Sequence, residues 1–277
     1  MPPFNPPFTI TPLSNHTHTL ILLHDRDATS QNFGLDILSA STTSGKLLQT
    51  LFQGTKFIFP TANQQCVTAI EGGPRMSQWF DVYSTIDPSK RDALQLKGLR
   101  EGAGHVHEIV DAEASIIPLR DIFLGGFGQG SAMALYALLT YRPENQGDHL
   151  GGFVGMSGWL PLSKWLDELT SNAGGEGGED RGDFNANDQI SRCLRNQVAL
   201  PQVNISPPRL DKIPILLAHG QADAQVPADL AEQATDALTA FGLNVTLKTY
   251  EALDHAWRNI HEIDDITGFL ADHGMAG

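Results

Sequence analysis

The segment from Asp121 to Leu139, DIFLGGFGQGSAMALYALL, constrains this chain more than any other. It reads as a buried strand (Ile122, Phe123, Leu124), a glycine-dense turn from Gly125 to Gly130, and a helix with apolar residues at helical spacing (Met133, Leu135, Tyr136, Leu139). Glycine on both sides of one residue lets strand and helix backbones approach closely. The central residue, Gly128, is then thrust above the sheet beside the helix N-terminus.

The flanking sequence repeats the strand–helix alternation. Thr19–Leu23 and Lys56–Phe59 read as strands, Phe33–Leu38 opens a helix, and Thr61–Ser84 is an aromatic loop. Ser89–Ala114 reads as a long helix, with Leu94, Leu96, Leu99, Val106, Ile109 and Val110 on its apolar face. Gly151–Met156, Ile215–Ala218 and Val245–Tyr250 read as further strands, with helices at Ala228–Phe241 and Trp257–Ala271. This order predicts an α/β fold with a mostly parallel central sheet and helices on both faces. The proline-rich residues 1–16 are expected to be an extended lead-in to a single domain over 17–277, and the glycine-rich acidic stretch at 171–190 a mobile surface loop.

The net charge of −14 argues against nucleic acid or an anionic membrane surface as partner. Two cysteines, Cys66 and Cys193, make no framework and are expected as free thiols. Without a basic, apolar leader or a membrane-length apolar run, a cytoplasmic protein, monomer or homodimer, is expected.

The build around Gly128 is that of a nucleophile elbow, in which the central residue of G-x-S-x-G is an exposed Ser. Here the sequence is Gly126-Phe127-Gly128-Gln129-Gly130, so the frame is present and the attacking oxygen is absent. Acyl-transfer chemistry on such a frame needs nucleophile, acid and His in that chain order, on loops at strand C-termini. Gly128, Asp223 (HGQADAQVP) and His255 (YEALDHAW) satisfy the order. Each of the last two alone reads equally well as a turn residue; jointly they suggest an acid–base pair. Backbone donors for an oxyanion are expected from Gln129 and Arg26. Ser131 is a poor substitute nucleophile, three residues and about 4.5 Å further along a helix.

Several motifs together carry a resemblance. They are Leu23-His24, Phe59-Pro60-Thr61-Ala62, Trp79-Phe80-Asp81, Leu124-Gly125-Gly126-Phe127-x-Gln129-Gly130, Ser157-Gly158-Trp159-Leu160, His219-Gly220-x-x-Asp223-x-x-Val226-Pro227 and Ala252-x-x-His255. The chain resembles the acyl-protein thioesterase and carboxylesterase family of α/β-hydrolases. The resemblance implies hydrolysis of small esters or thioesters without cofactor or metal. It implies Asp223 and His255 as the triad's acid and base, Gln129 and Arg26 at the oxyanion hole, and Trp79 in the pocket wall. Loop placement of the aromatics Trp79, Phe80 and Trp159 makes pocket lining as well founded as core packing, and His24, Asp25, Phe127 and Val226 complete the expected substrate pocket. Two departures stand out. The family has Gly where this chain has Asp25, which brings a carboxylate to the pocket, and Ser where it has Gly128.

Gly128 admits three readings: an engineered inactive variant, a natural descendant that uses His255–Asp223 as a plain acid–base pair on a small metabolite, or a binding protein without chemistry. A rival from another class is a dinucleotide-binding oxidoreductase, from Gly126-x-Gly128-x-x-Ser131 with Asp148 about 20 residues on. Its third glycine is missing. The His105/His107 and His255/His261 pairs lack metal-ligand spacing and read as helix or surface residues.

Overall fold

The structure, a computed structural model, describes residues 3–166, 186–201, 208–256 and 259–275. Its strands are β1 (Phe8–Ile10), β2 (His18–Leu23), β3 (Thr55–Phe59), β4 (Gln64–Cys66), β5 (Arg75–Ser77), β6 (Ile122–Phe127), β7 (Gly152–Met156), β8 (Pro214–Gly220) and β9 (Asn244–Tyr250). The helices are α1 (Ser30–Ser39), α2 (Leu48–Leu51), α3 (Gln95–Ala114), α4 (Gln129–Thr140), α5 (Ala186–Gln197), α6 (Asp229–Ala240) and α7 (Ile260–Asp272). A seven-stranded sheet runs in the order β1-β3-β2-β6-β7-β8-β9, with only the β1–β3 pair antiparallel.

Period-two alternation in the central strands sorts their side chains into two cores. Ile21, Leu23, Ile122, Leu124, Ile215 and Leu217 pack on one face under α3, α4, α5 and α6. Leu20, Leu22, Phe123, Phe127, Leu216 and Ala218 pack on the other under α1, α2 and α7. Both faces are therefore covered, as a parallel sheet with near-continuous apolar strands requires. All twelve residues of α4 are buried, so the helix that starts at the elbow is the centre of its layer.

Several expectations need correction. The lead-in at 1–16 contains β1, which pairs with β3 and closes the sheet edge. The expected loop over Thr61–Ser84 holds the β4–β5 hairpin. The long helix begins at Gln95 rather than Ser89, because Arg91 takes a left-handed conformation (φ 57°) and a short 3-10 turn intervenes. The strand before the elbow runs to Phe127, so Gly125 and Gly126 belong to the sheet. The expected loop at 171–190 lies outside the described residues as far as 185, and from Ala186 the chain is helical. Cys66 and Cys193 are free. No helix among the described residues is long and apolar enough to cross a membrane.

Candidate functional site

The site lies at the C-terminal edge of the sheet, where the loops after β2, β6, β8 and β9 meet. β2 and β6 are parallel neighbours with Leu23 opposite Gly126. Two residues further on each strand, Asp25 and Gly128 face one another. Gly128 has φ 55° and ψ −123°, a conformation open to glycine and strained for other residues. Its N–H donates to the Met156 carbonyl at 2.9 Å, tying the turn to β7. At Gly130 a Cβ would strike the Leu23 and His24 carbonyls, so only glycine lets α4 begin this close to β2.

The Asp25 carboxylate lies directly over Gly128. A Cβ at position 128 would fall on Asp25 Oδ1 and Cγ. Asp25 Oδ1 accepts a 2.6 Å hydrogen bond from the Gln129 backbone N–H, the first amide of α4. This is the charge arrangement favoured at a helix N-terminus. Asp25 Oδ2 lies 3.2 Å from His255 Nε2.

His255 is held from its other side by Asp223, with Nδ1 2.7 Å from Asp223 Oδ2. Asp223 Oδ1 accepts from the Gln225 and Val226 N–H groups at 2.9 and 2.8 Å. Burial opposes the charged form of Asp223, but hydrogen bonds from His219, His255 and Val226 hold its carboxyl well below the ordinary carboxylate range. Burial likewise opposes a charged His255. The hydrogen bonds and charges of Asp223 and Asp25 prevail, and its pKa is raised to about 9. At neutral pH an imidazolium thus sits between two carboxylates. The Phe127 ring lies against it, with ring centroids 4.8 Å apart.

Above this trio opens a cleft of about 200 Å³. Asp25, Arg26, Asp27, Gln129, Gln225 and His255 supply its polar wall; Met76, Val82, Trp159 and Val226 supply its apolar wall, with Thr85 completing the lining. Of the expected pocket residues, Asp25, Trp159 and Val226 line it. His24, Trp79 and Phe80 do not, because they form the layer beneath. His24 is fully buried, with Nδ1 2.7 Å from the Asp25 carbonyl and Nε2 accepting from the Ala62 N–H at 3.0 Å, and burial pushes its pKa down. Trp79 Nε1 donates to the His24 carbonyl at 2.8 Å. The buried Gln129 side chain accepts from the Trp79 N–H at 2.8 Å and donates to the Phe80 carbonyl at 2.7 Å. Phe127 touches the imidazole from the side rather than the cleft.

Other sequence candidates fall elsewhere. Ser131 is buried, facing Gly155 and Gly158, and is not part of the cleft. Asp148 bonds to Asn145 in a turn preceding β7, at the opposite end of the sheet from Gly128, which overturns the dinucleotide reading. His105 stacks on Phe4 and His107 bonds the Ala137 carbonyl; burial lowers both to about 4, so they are neutral packing residues. His261 is exposed at the start of α7. Met76, Val82, Thr85 and Gln225, which line the cleft, are not among the residues expected from the sequence; nothing in their local pattern marks them.

The phospholipase/carboxylesterase family model matches residues 5–174 and 193–273. The chain belongs to the phospholipase/carboxylesterase family. It is 27% identical over 269 residues to acyl-protein thioesterase 1 of Gibberella zeae, covering 95% of this chain and 94% of that one. It is 36% identical over 168 residues to acyl-protein thioesterase 1 of Schizosaccharomyces pombe, covering 60% of this chain and 67% of that one. Among solved structures, acyl-protein thioesterase 2 of Zea mays superposes with a TM-score of 0.67 at 25% identity, covering 98% of this chain and 99% of that one. The molecule is thus a hydrolase scaffold of the thioesterase and carboxylesterase type.

Proposed function

We propose that this scaffold has lost the serine step of ester and thioester hydrolysis through a paired exchange. Gly128 stands at the nucleophile position and Asp25 fills the volume that a serine side chain would occupy. His255 and Asp223 persist as a proton-transferring pair acting on a small molecule whose body lies against Met76, Val82, Trp159 and Val226. The Gln129 N–H, bound to Asp25 Oδ1, anchors that carboxylate, and Arg26 lines the same cleft.

The observation that carries this reading is the overlap between the Asp25 carboxylate and a Cβ at 128. Asp25 and a serine at 128 exclude each other as the two loops stand. A laboratory replacement of serine alone would have left position 25 with the family's Gly, so the pairing favours a natural exchange. A purely ligand-binding role is less favoured, because a passive pocket gives no reason for an imidazole with a carboxylate on each nitrogen, one of them opening on the cleft.

The test is the double variant D25G/G128S against both singles, on short-chain p-nitrophenyl esters and acyl thioesters. The double variant gains hydrolysis of at least about 10²-fold over the unchanged protein, while G128S alone does not, because its Cβ has to displace the Asp25 carboxylate, which then crowds the hydroxyl and the Gln129 N–H. A folded but inactive double variant across the panel refutes the proposal.

A further inference from the structure

We infer that Asp25 is itself a nucleophile, and that this chain hydrolyses small alkyl electrophiles, in which a saturated carbon bears a leaving group such as a halide or an epoxide oxygen. The inference rests on the preceding reading of Gly128 as the position of a lost serine.

Three features of the geometry carry it. The two oxygens of Asp25 are differentiated: Oδ1 is anchored on the Gln129 N–H at 2.6 Å, while Oδ2 faces His255 Nε2 at the longer distance of 3.2 Å. The carboxylate is reachable, with a side chain 23% exposed at the floor of the cleft, whereas Asp223 is fully buried behind His255. Met76, Val82, Trp159 and Val226 line the same cleft and give an alkyl group an apolar surface to lie against.

The chemistry balances in two steps. Asp25 Oδ2 attacks the carbon, forming a C–O bond as the leaving group departs with the bonding electron pair; an epoxide oxygen takes its proton from water. Asp25 becomes a neutral ester. The imidazolium, having lost one of its two carboxylate partners, releases its proton to solvent. His255 Nε2 then removes a proton from a water molecule that adds to Asp25 Cγ. The negative charge that develops on Oδ1 is met by the Gln129 N–H already bound there. Collapse expels the alkoxide, which takes the proton from His255; the carboxylic acid left on Asp25 passes its remaining proton to His255 Nε2, and carboxylate and imidazolium are restored. For a halide the sum is alkyl halide plus water giving alcohol, halide and a proton.

A carboxylate acting as nucleophile leaves a mark that a carboxylate acting through water does not. With enzyme in excess over 1-bromoalkanes or terminal epoxides in oxygen-18 water, the first alcohol or diol carries unlabelled oxygen, and the label appears in the Asp25 carboxyl by peptide mass spectrometry. In His255→Gln the alkylated protein accumulates, with the adduct on Asp25. Asp25→Asn lowers product release by about 10³-fold or more. The two electrophile arms show which leaving group is handled. Labelled oxygen in the first product, or absence of both adduct and product with both classes, overturns the inference. Because the oxygen-18 measurement uses the unchanged protein, it decides even if Asp25→Asn fails to fold. Ester hydrolysis gained by D25G/G128S without alkylation of Asp25 would sink this inference alone. Alkylation with a folded, silent double variant would sink only the preceding one.

Discussion

Removing the charge of Asp25 while keeping its shape is the sharpest perturbation of the site. His255 Nε2 lies 3.2 Å from Asp25 Oδ2. At that distance a unit charge pair is worth about 5 kcal/mol at an effective dielectric of about 20 and about 1.3 kcal/mol in bulk water. The rise of the His255 pKa to about 9 is shared between Asp25 and Asp223 against opposing burial, so the part owed to Asp25 lies between these limits, at about 1.4–2.8 kcal/mol. At about 1.4 kcal/mol per pH unit, D25N therefore lowers the His255 pKa by about one to two pH units from its raised value of about 9. The Asp223 pairing, 2.7 Å away on the other nitrogen, remains and keeps the ring above its ordinary value. Titration of the imidazole Cε1–H resonance by NMR in the unchanged protein and in D25N reads this directly. A native His255 that titrates near 6.5, or one whose midpoint D25N leaves in place, refutes the electrostatic picture of the trio.

Four further outcomes follow from the same contacts. G128A costs about 3–5 kcal/mol, since alanine takes a glycine conformation and displaces Asp25 from the Gln129 N–H; the cost falls by about 1.5–3 kcal/mol in a D25G background, and urea melts of the four proteins measure the coupling. Gly130→Val leaves little folded protein, as its side chain strikes the Leu23 and His24 carbonyls, read by circular dichroism and yield. His255 is charged more readily folded than unfolded, so its contribution, on the order of 3 kcal/mol, is complete below pH about 6.5 and disappears as pH rises through about 9; urea midpoints across that range fall, and in D25N fall earlier. Asp223 has the opposite sign: its depressed pKa gives stability present above pH about 4 and lost on acidification, so D223N flattens the acid limb of the same curve.

The fold was legible because its signals are long-ranged and redundant. Every central strand is a run of apolar residues bounded by turn signals, and the glycines of the elbow have a single structural use. What escaped was short or contingent. β1 and the β4–β5 hairpin span three residues per strand, too few for alternation to show. Asp223 and His255 could be singled out because chain order and strand-end placement agree, and the structure brings their side chains to 2.7 Å. Trp79 and Phe80 were expected at the pocket because loop aromatics line clefts often; here Gln129 pins both backbone positions into the layer below. The encounter of Asp25 with Gly128 was visible in principle. Both residues follow strands whose adjacency places them side by side, but that adjacency is a fact of sheet order which local pattern does not hold.

Under the proposed loss of serine, the Asp25 carboxylate has a further consequence. A hydrolase stripped of its serine ordinarily retains about 10³–10⁴-fold catalysis over water, because the amides that stabilise the oxyanion still act. In this molecule the Gln129 N–H is already bound to an ionised group at 2.6 Å. An ester carbonyl would have to displace a charge-assisted hydrogen bond worth about 1.5–3 kcal/mol, about one to two powers of ten in rate, before any transition state could be stabilised. The proposed exchange would therefore suppress residual ester hydrolysis as well as the acyl-enzyme route. It also predicts a counterintuitive ranking: D25G, which removes a charged group and adds none, hydrolyses activated esters about 10- to 100-fold faster than the unchanged protein while still lacking any nucleophile. Equal background rates for the two, measured with p-nitrophenyl acetate at matched folding, would mean that the Gln129 amide is not where ester charge develops.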